Sequence, residues 1–383
     1  MLKVCINRQT GGGRRGGHHT HFAFTGLPGV EIAALADANP DAVNNYHLCG
    51  AKKLYAGYEE MMCAEKPDIV ILCSRLPEEH YNEIKYALEH KCHVLCEKPL
   101  ADDLPHAYEL VELSRKTGYK VQMAHLARFA PAFREMKRMI HAGEIGKVLT
   151  CYMRGKEDTR GGGEDMLVLG THILDAACWM FDLPESVYSD IYWEGRHITS
   201  ADTVETTEPL GPCAGDEIFA HFRFKNGVNG IFESRRGLVP AVADMRMGIT
   251  VSGTEGALTI RYTDKRTLRL SRNFPVPVED TNQYDIVELP VTEEFPGAAP
   301  IDPAAWGINT QAFHNVYFME NNRRAAWDLL QAIEKNSEPT AGIESAVQSL
   351  EMIVGIYQSA LSHSMVGLPL KNRQHPLNPE KQK

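Results

Sequence analysis

No apolar run in this 383-residue sequence approaches the length needed to span a bilayer. Basic residues are outnumbered, 40 Lys and Arg against 50 Asp and Glu, giving a formal net charge of −10 with no long basic run. That balance argues against nucleic acid as a partner. The nine cysteines show no paired metal-ligand spacing, so no metal is expected. Several (Cys5, Cys73, Cys96, Cys178) sit inside apolar runs, as small core residues do in a reducing compartment. Arg14-Arg15 is followed by Gly, His and Thr instead of the apolar stretch of a signal peptide. These absences predict a cytoplasmic protein without a membrane partner. No internal repeat is present, and the length suits two or three domains, or one large domain with a companion.

The stretch Cys92-His93-Val94-Leu95-Cys96-Glu97-Lys98-Pro99-Leu100 organises what is there. Val94 to Cys96 predicts a short buried strand. Proline stops it, leaving an acid and a lysine at its carboxyl edge. In an open parallel sheet, ligands bind at that edge. A lysine over an apolar floor, beside a cofactor, would have a lowered pKa and move protons near neutral pH. Taken alone, the tripeptide fits a surface lysine beside a turn equally well.

A first strand over residues 2 to 7 leads into a glycine-rich run holding one G-x-G-x-x-G, made by Gly11, Gly13 and Gly16. Such a turn lets the backbone approach a pyrophosphate at a helix amino terminus. In so glycine-rich a stretch the motif by itself is weak, and Arg8-Gln9-Thr10 intervene before it. A second strand, Val30 to Ala36, ends at Asp37, 21 residues after Gly16. An acid there accepts hydrogen bonds from ribose hydroxyls. No arginine follows Asp37 closely and its charge repels a 2′-phosphate, so NAD is expected over NADP. Asp37 also opens an Asp-Ala-Asn-Pro turn in which Asn39 would cap the next helix, with Pro40 at its first position.

Strands and helices then alternate through Lys53–Tyr55, Tyr58–Glu65, Ile69–Cys73, Glu78–His90, Leu104–Thr117 and Val121–Ala124. This predicts βαβ units and a parallel doubly wound sheet. Ser74, His80 and His125 fall near its carboxyl edge, although a lone histidine at a helix start is more often structural. Beyond residue 124 a helix is expected over Pro131 to Ala142, and from Lys147 onward strands dominate. Ile218, Ala220, Phe222 and Phe224 share one face, and Asn226-Gly227 signals a type I′ hairpin. The fold class expected is α/β: an N-terminal Rossmann sheet plus a C-terminal α+β domain with a largely antiparallel open sheet. The expected boundaries are 1–124, 125–370 and a tail over 371–383. Residues 274 to 308 predict an irregular excursion, followed by two helices over 315–335 and 343–363.

Several motifs now occur in order: Gly11-x-Gly13-x-x-Gly16-x-x-His19, Asp37, Pro77-x-x-His80, Glu97-Lys98-Pro99, Arg128-Phe129-x-Pro131, Gly143-x-Ile145-Gly146 and Gly170-x-His172-x-x-Asp175. As a set they resemble the glucose-fructose oxidoreductase / inositol dehydrogenase / rhizopine-catabolism (Gfo/Idh/MocA) family over nearly the whole chain. The resemblance implies a nicotinamide cofactor, a sugar or cyclitol substrate, and a homo-oligomer, dimer or tetramer, built on the open sheet. It implies Lys98 and His172 as the catalytic pair, with Asp175 supporting His172 from one helical turn along. For NAD it implies Gly11, Gly12, Gly13, Arg14, Asp37, Ser74, His80, Glu97, Lys98 and His125. For the substrate it implies His172 and Asp175, with Arg154, Glu164 and Asp165 as further candidates from this chain's own charged residues nearby.

One position departs from the pattern. The family usually has an aspartate four residues before this histidine, and here that place is Val168. The Gly161-Gly162-Gly163-Glu164-Asp165 loop offers carboxylates instead, unless it is merely surface. The expected activity is NAD-dependent oxidation of a sugar or glycoside hydroxyl, with C3 of a glucoside as one choice. Two alternatives remain open. One is a glycosidase or lyase that retains NAD and works through transient oxidation; the other is a non-catalytic sugar-binding protein.

Overall fold

The computed structural model describes residues 1–8, 18–39, 41–208, 210–238, 247–272, 284–290, 295–311 and 313–378. Within it the chain divides into two compact units. One joins Met1–Phe129 to Thr292–Val347, and the other joins Ala130–Val291 to Gln348–Lys383.

The first unit is a six-stranded parallel sheet of β1 (Leu2–Asn7), β2 (Val30–Ala36), β3 (Lys53–Tyr55), β4 (Ile69–Leu72), β5 (His93–Cys96) and β6 (Val121–Met123). Its spatial order is β3-β2-β1-β4-β5-β6. The order reverses between β1 and β4, the place where dinucleotide sheets open a crevice outside their carboxyl ends. Strands with both faces covered have no polar side to show, so β4 is the unbroken run Ile-Val-Ile-Leu and all four residues are buried.

The helices α1 (Ala42–Cys49), α2 (Tyr58–Glu65), α3 (Pro77–Glu89) and α4 (Leu104–Thr117) alternate with the strands. Local chemistry sets their ends. Pro77 opens α3 with Glu78 and Glu79 in its first turn, and Asp103 caps α4 by accepting from the backbone N–H of His106 at 2.9 Å. Asn39 does not cap α1 as its sequence suggests. Asp41 occupies the cap, and Asn39 instead turns its amide onto Asp37.

Residues 292–347 lie with the first unit, whereas a linear division places them in the second. The reason is apolar. Met319, Ala325, Ala326, Leu329 and Leu330 of the helix Phe313–Lys335 join Val4, Ile6, Leu35 and Ile71 in one core cluster. Trp306, from the proline-rich excursion, stacks on Phe22 with ring centroids 5.0 Å apart. The division itself falls at Phe129/Ala130, beyond the expected 124/125.

The second unit is built on a mixed ten-stranded sheet. At its centre Gly248–Gly253, Val148–Arg154, Asn229–Arg235, Glu217–Arg223 and Ser186–Trp193 lie side by side, antiparallel except for the Val148–Arg154/Asn229–Arg235 pair. Ile218, Ala220, Phe222 and Phe224 are buried, as their alternation requires. Asn226 and Gly227 both take positive φ, 63° and 82°, which lets the hairpin close. One face is covered in part by the helix Ile343–Ser362, whose Ile356 carbonyl accepts from Ser189 Oγ at 2.6 Å. Tyr188 and Phe219, on neighbouring strands, are exposed. Eight of the nine cysteines are buried and all are free, Cys63 alone being exposed.

Candidate active site

At the carboxyl edge of the first sheet, the backbone N–H of Glu97 donates to Leu72 O at 3.0 Å, extending the β4–β5 ladder by one residue. A cis peptide then joins Lys98 to Pro99. Both Glu97 and Lys98 are buried, at 0% and 1% exposure, although charged residues are rarely taken fully out of water unpaired. Glu97 has its partners: Thr20 Oγ1 donates to Oε1, and His18 Nδ1 lies 3.3 Å from Oε2. Burial pushes the Glu97 carboxyl up, but His18, Thr20 and Lys98 outweigh it and hold the group below the usual carboxylate range. The result is an anion fixed beside Lys98 in a dry setting. Sequence reasoning missed His18 and Thr20, and their one signal is that they flank the motif residue His19.

His80 and Ser74 stand next to this edge but are spent on structure. His80 is buried, with Nδ1 2.6 Å from Pro99 O and Nε2 2.8 Å from Ser74 O. Ser74 Oγ donates to Glu79 and accepts from the backbone N–H of Leu76 at 3.1 Å. In this structure the polar atoms of both shape the loops after β4 and β5. His125 is buried directly after β6.

Asp37 ends β2 with its carboxylate buried. Arg8, the residue after β1, donates from Nη1 to Asp37 Oδ2 at 2.8 Å. Asn39 donates to Oδ1 from its backbone N–H at 2.9 Å and from Nδ2 at 2.5 Å. No arginine follows Asp37 closely in sequence, yet one meets it in space. A carboxylate has about four lone-pair sites, so these three donors leave room for about one ribose hydroxyl. That capacity, on a sheet with the dinucleotide strand order, fits NAD. Gly11, Gly12, Gly13 and Arg14, the expected pyrophosphate cradle, lie outside the described residues.

In the second unit, a π-helical turn over Met166–Gly170 runs directly into the helix Thr171–Phe181. Such turns are rare and cluster at functional sites. Val168 lies in the turn, and His172 and Asp175 lie on the helix just beyond it; all three are buried. Arg154 ends its strand and pairs with Glu233 at 3.0 Å.

The glycine loop is tightly packed. A Cβ on Gly161, Gly162 or Gly163 would fall 2.2, 2.4 or 2.4 Å from the backbone carbonyl oxygens of Arg235, Gly215 and Ala214 respectively. Only glycine fits such an approach. Its two carboxylates are engaged internally. Glu164 accepts from the backbone N–H of Thr207 at 3.0 Å and from its hydroxyl. Asp165 Oδ2 accepts from Ser234 Oγ at 2.6 Å and from the backbone N–H of Glu157 at 3.1 Å. Burial raises the Asp165 pKa against those two bonds. Asp165 Oδ1 is buried and has no hydrogen-bond partner among the described residues.

Residues 10–125 match the oxidoreductase family with an NAD-binding Rossmann fold, and residues 133–259 match the GFO/IDH/MocA C-terminal domain. Among relatives, the D-glucoside 3-dehydrogenase of Escherichia coli is 28% identical over 52% of this chain and 60% of that protein. The inositol 2-dehydrogenase/D-chiro-inositol 3-dehydrogenase of Lactiplantibacillus plantarum is 24% identical over 76% of this chain and 83% of its own length. Among solved structures, levoglucosan dehydrogenase in complex with NADH and levoglucosan superposes with a TM-score of 0.71, covering 96% of this chain and 99% of that one at 19% identity.

Proposed function

The chain belongs to the Gfo/Idh/MocA family of NAD-binding oxidoreductases, and we propose that it is a dehydrogenase of a sugar or glycoside hydroxyl. The observation that carries this reading is Lys98, buried at the carboxyl edge of β5 beside an anionic Glu97. Bound NAD supplies the hydride acceptor for the carbinol C–H. The chain's own residues handle binding and the proton. Asp37 receives an adenine-ribose hydroxyl. Lys98, as the neutral amine, orients the substrate hydroxyl and takes its proton, and the Glu97 carboxylate stabilises the ammonium so formed. His172 serves as the second acid/base, steadied by Asp175 one turn along, and Arg154 contributes to the substrate subsite. Burial of Lys98 excludes water from the transfer, which strengthens each of these contacts.

The substrate class is supported by the relatives, whose names include a D-glucoside 3-dehydrogenase and inositol dehydrogenases. Oxidation at C3 of a glucoside is the finer choice. Eight buried free cysteines suit a reducing, cytoplasmic setting, and among the described residues no helix is long and apolar enough to cross a membrane. Exposed Tyr188 and Phe219 on the open sheet suit pairing with a second copy of the chain.

A panel of sugars, cyclitols and glycosides tests the reading, with nicotinamide absorbance and products followed together. Stoichiometric reduced cofactor and an oxidised sugar are expected. Aglycone released without reduced cofactor would replace the dehydrogenase with a redox-neutral glycosidase.

A further inference from the structure

Arg8 follows β1 directly, and its backbone N–H donates to Ala36 O at 2.9 Å, so its side chain starts alongside the end of β2. The guanidinium is buried between two aspartates. Nη1 lies 2.8 Å from Asp37 Oδ2 and 3.3 Å from Asp41 Oδ1, and Nη2 lies 3.4 Å from Asp41 Oδ2. Nε is buried and has no partner among the described residues. Of these three side chains one is positive and two are negative.

We propose that Arg8 is a specificity-determining residue of the cofactor's ribose pocket: it fixes the Asp37 carboxylate for a ribose hydroxyl, and it becomes a ligand for a 2′-phosphate once that carboxylate is removed. The inference rests on the reading above, in which Asp37 receives the adenine ribose.

Two physical arguments support it. A carboxylate left to itself samples several orientations, whereas Asp37 is held on Oδ2 by Arg8 and on Oδ1 by Asn39, so it meets the ribose already aligned. Discrimination against NADP comes from charge. While the Asp37 carboxylate faces Arg8, a 2′-phosphate would meet its negative charge, with Nη1 already engaged. Removing the Asp37 carboxylate takes away one negative charge and releases Nη1 from its shorter contact. Arginine's planar fork suits phosphate. No new basic residue has to be introduced for the preference to move.

The test measures equilibrium binding of NAD⁺ and NADP⁺ to the full chain by calorimetry. It compares the parent with Asp37→Ser, Arg8→Gln and the double variant, with thermal melting to establish folding. Asp37→Asn, nearly isosteric, replaces Asp37→Ser if the latter melts early. The parent should prefer NAD⁺, and Arg8→Gln should weaken it. The Asp37 variant should bind NADP⁺ about tenfold or more tightly than the parent does, the scale of one hydrogen bond to a charged group. The double variant should lose that gain. An Asp37 variant with no gain for NADP⁺, or a gain that survives Arg8→Gln, overturns the role of Arg8 while leaving the cofactor reading intact. A folded parent that binds no NAD⁺ overturns both.

Discussion

The imidazole of His80 lies 2.6 Å from the carbonyl oxygen of Pro99, tying the first turn of α3 to the proline that follows Lys98. Its other nitrogen lies 2.8 Å from Ser74 O, so one buried ring packs between the loops after β4 and β5; burial lowers its pKa, and the neutral ring donates to one of the two carbonyl oxygens. His80→Ala leaves that carbonyl oxygen buried without its donor. The expected loss of stability is about 1–3 kcal/mol. Because the ring supports the Lys98 turn, kcat should fall while the Kd for NAD⁺ stays near that of the parent. A variant as stable and as active as the parent would remove His80 from the site's framework.

Lys98 acts, on this account, mainly in the transition state. Lys98→Ala should cost roughly a hundredfold or more in kcat, as loss of a general acid-base group does. NAD⁺ affinity should change little, since Asp37 lies on a different strand end. Near-normal kcat would show that the proton leaves by another group.

Much of the first unit is legible in the sequence because its signals are local. Buried parallel strands are continuous apolar runs, as β4 shows, and the strand-helix alternation sets the sheet class. Contacts between distant residues are not visible in that way. Arg8 meets Asp37 across 29 positions, and the pair forms only because β1 and β2 are parallel neighbours. The helix Phe313–Lys335 has an apolar face in sequence, but nothing local says which core it completes. The π-helical turn before His172 has no propensity signature, and Gly170 there is fixed by Phe232, whose Cζ would lie 3.0 Å from an added Cβ. Glu164 and Asp165 look like ligands in sequence because carboxylates in a glycine loop suggest a binding turn. The hydrogen bonds they make to Thr207 and Ser234 join them to residues far along the chain.

Asp165 should therefore answer as a structural residue. Asp165→Ala removes the acceptor for Ser234 and for the Glu157 backbone N–H, and should lower stability by about 1–3 kcal/mol. Asp165→Asn keeps an acceptor oxygen, and burial already favours the uncharged group, so it should stay close to the parent. KM for the sugar should move little in either. Val168→Asp should destabilise by several kcal/mol, because it buries a carboxylate in the π turn. A large rise in KM for Asp165→Asn at unchanged melting temperature would return Asp165 to the substrate site.

Glu83 gives the pH dependence a sign. It sits on α3 with Oε1 accepting from Asn7 Nδ2 at 2.6 Å, while Oε2 is buried without a partner among the described residues. Burial, reinforced by the charge of Glu79, pushes its carboxyl up from the ordinary 4.5 to about 8, with Asn7 pulling the other way. The folded chain thus holds this proton more tightly than the unfolded one. The stability it contributes is fully present below the unfolded pKa near 4.5, and it is lost as pH rises through about 8. Glu83→Gln cannot ionise and still offers Asn7 an acceptor. Its melting temperature should match the parent's near pH 4.5 and exceed it increasingly toward pH 9, by roughly 2–4 °C for each kcal/mol relieved. Thermal melts of both proteins at half-unit steps from pH 4.5 to pH 9 read this directly. A difference that is constant with pH, or that shrinks as pH rises, would mean that Glu83 is ionised in the folded chain at neutral pH.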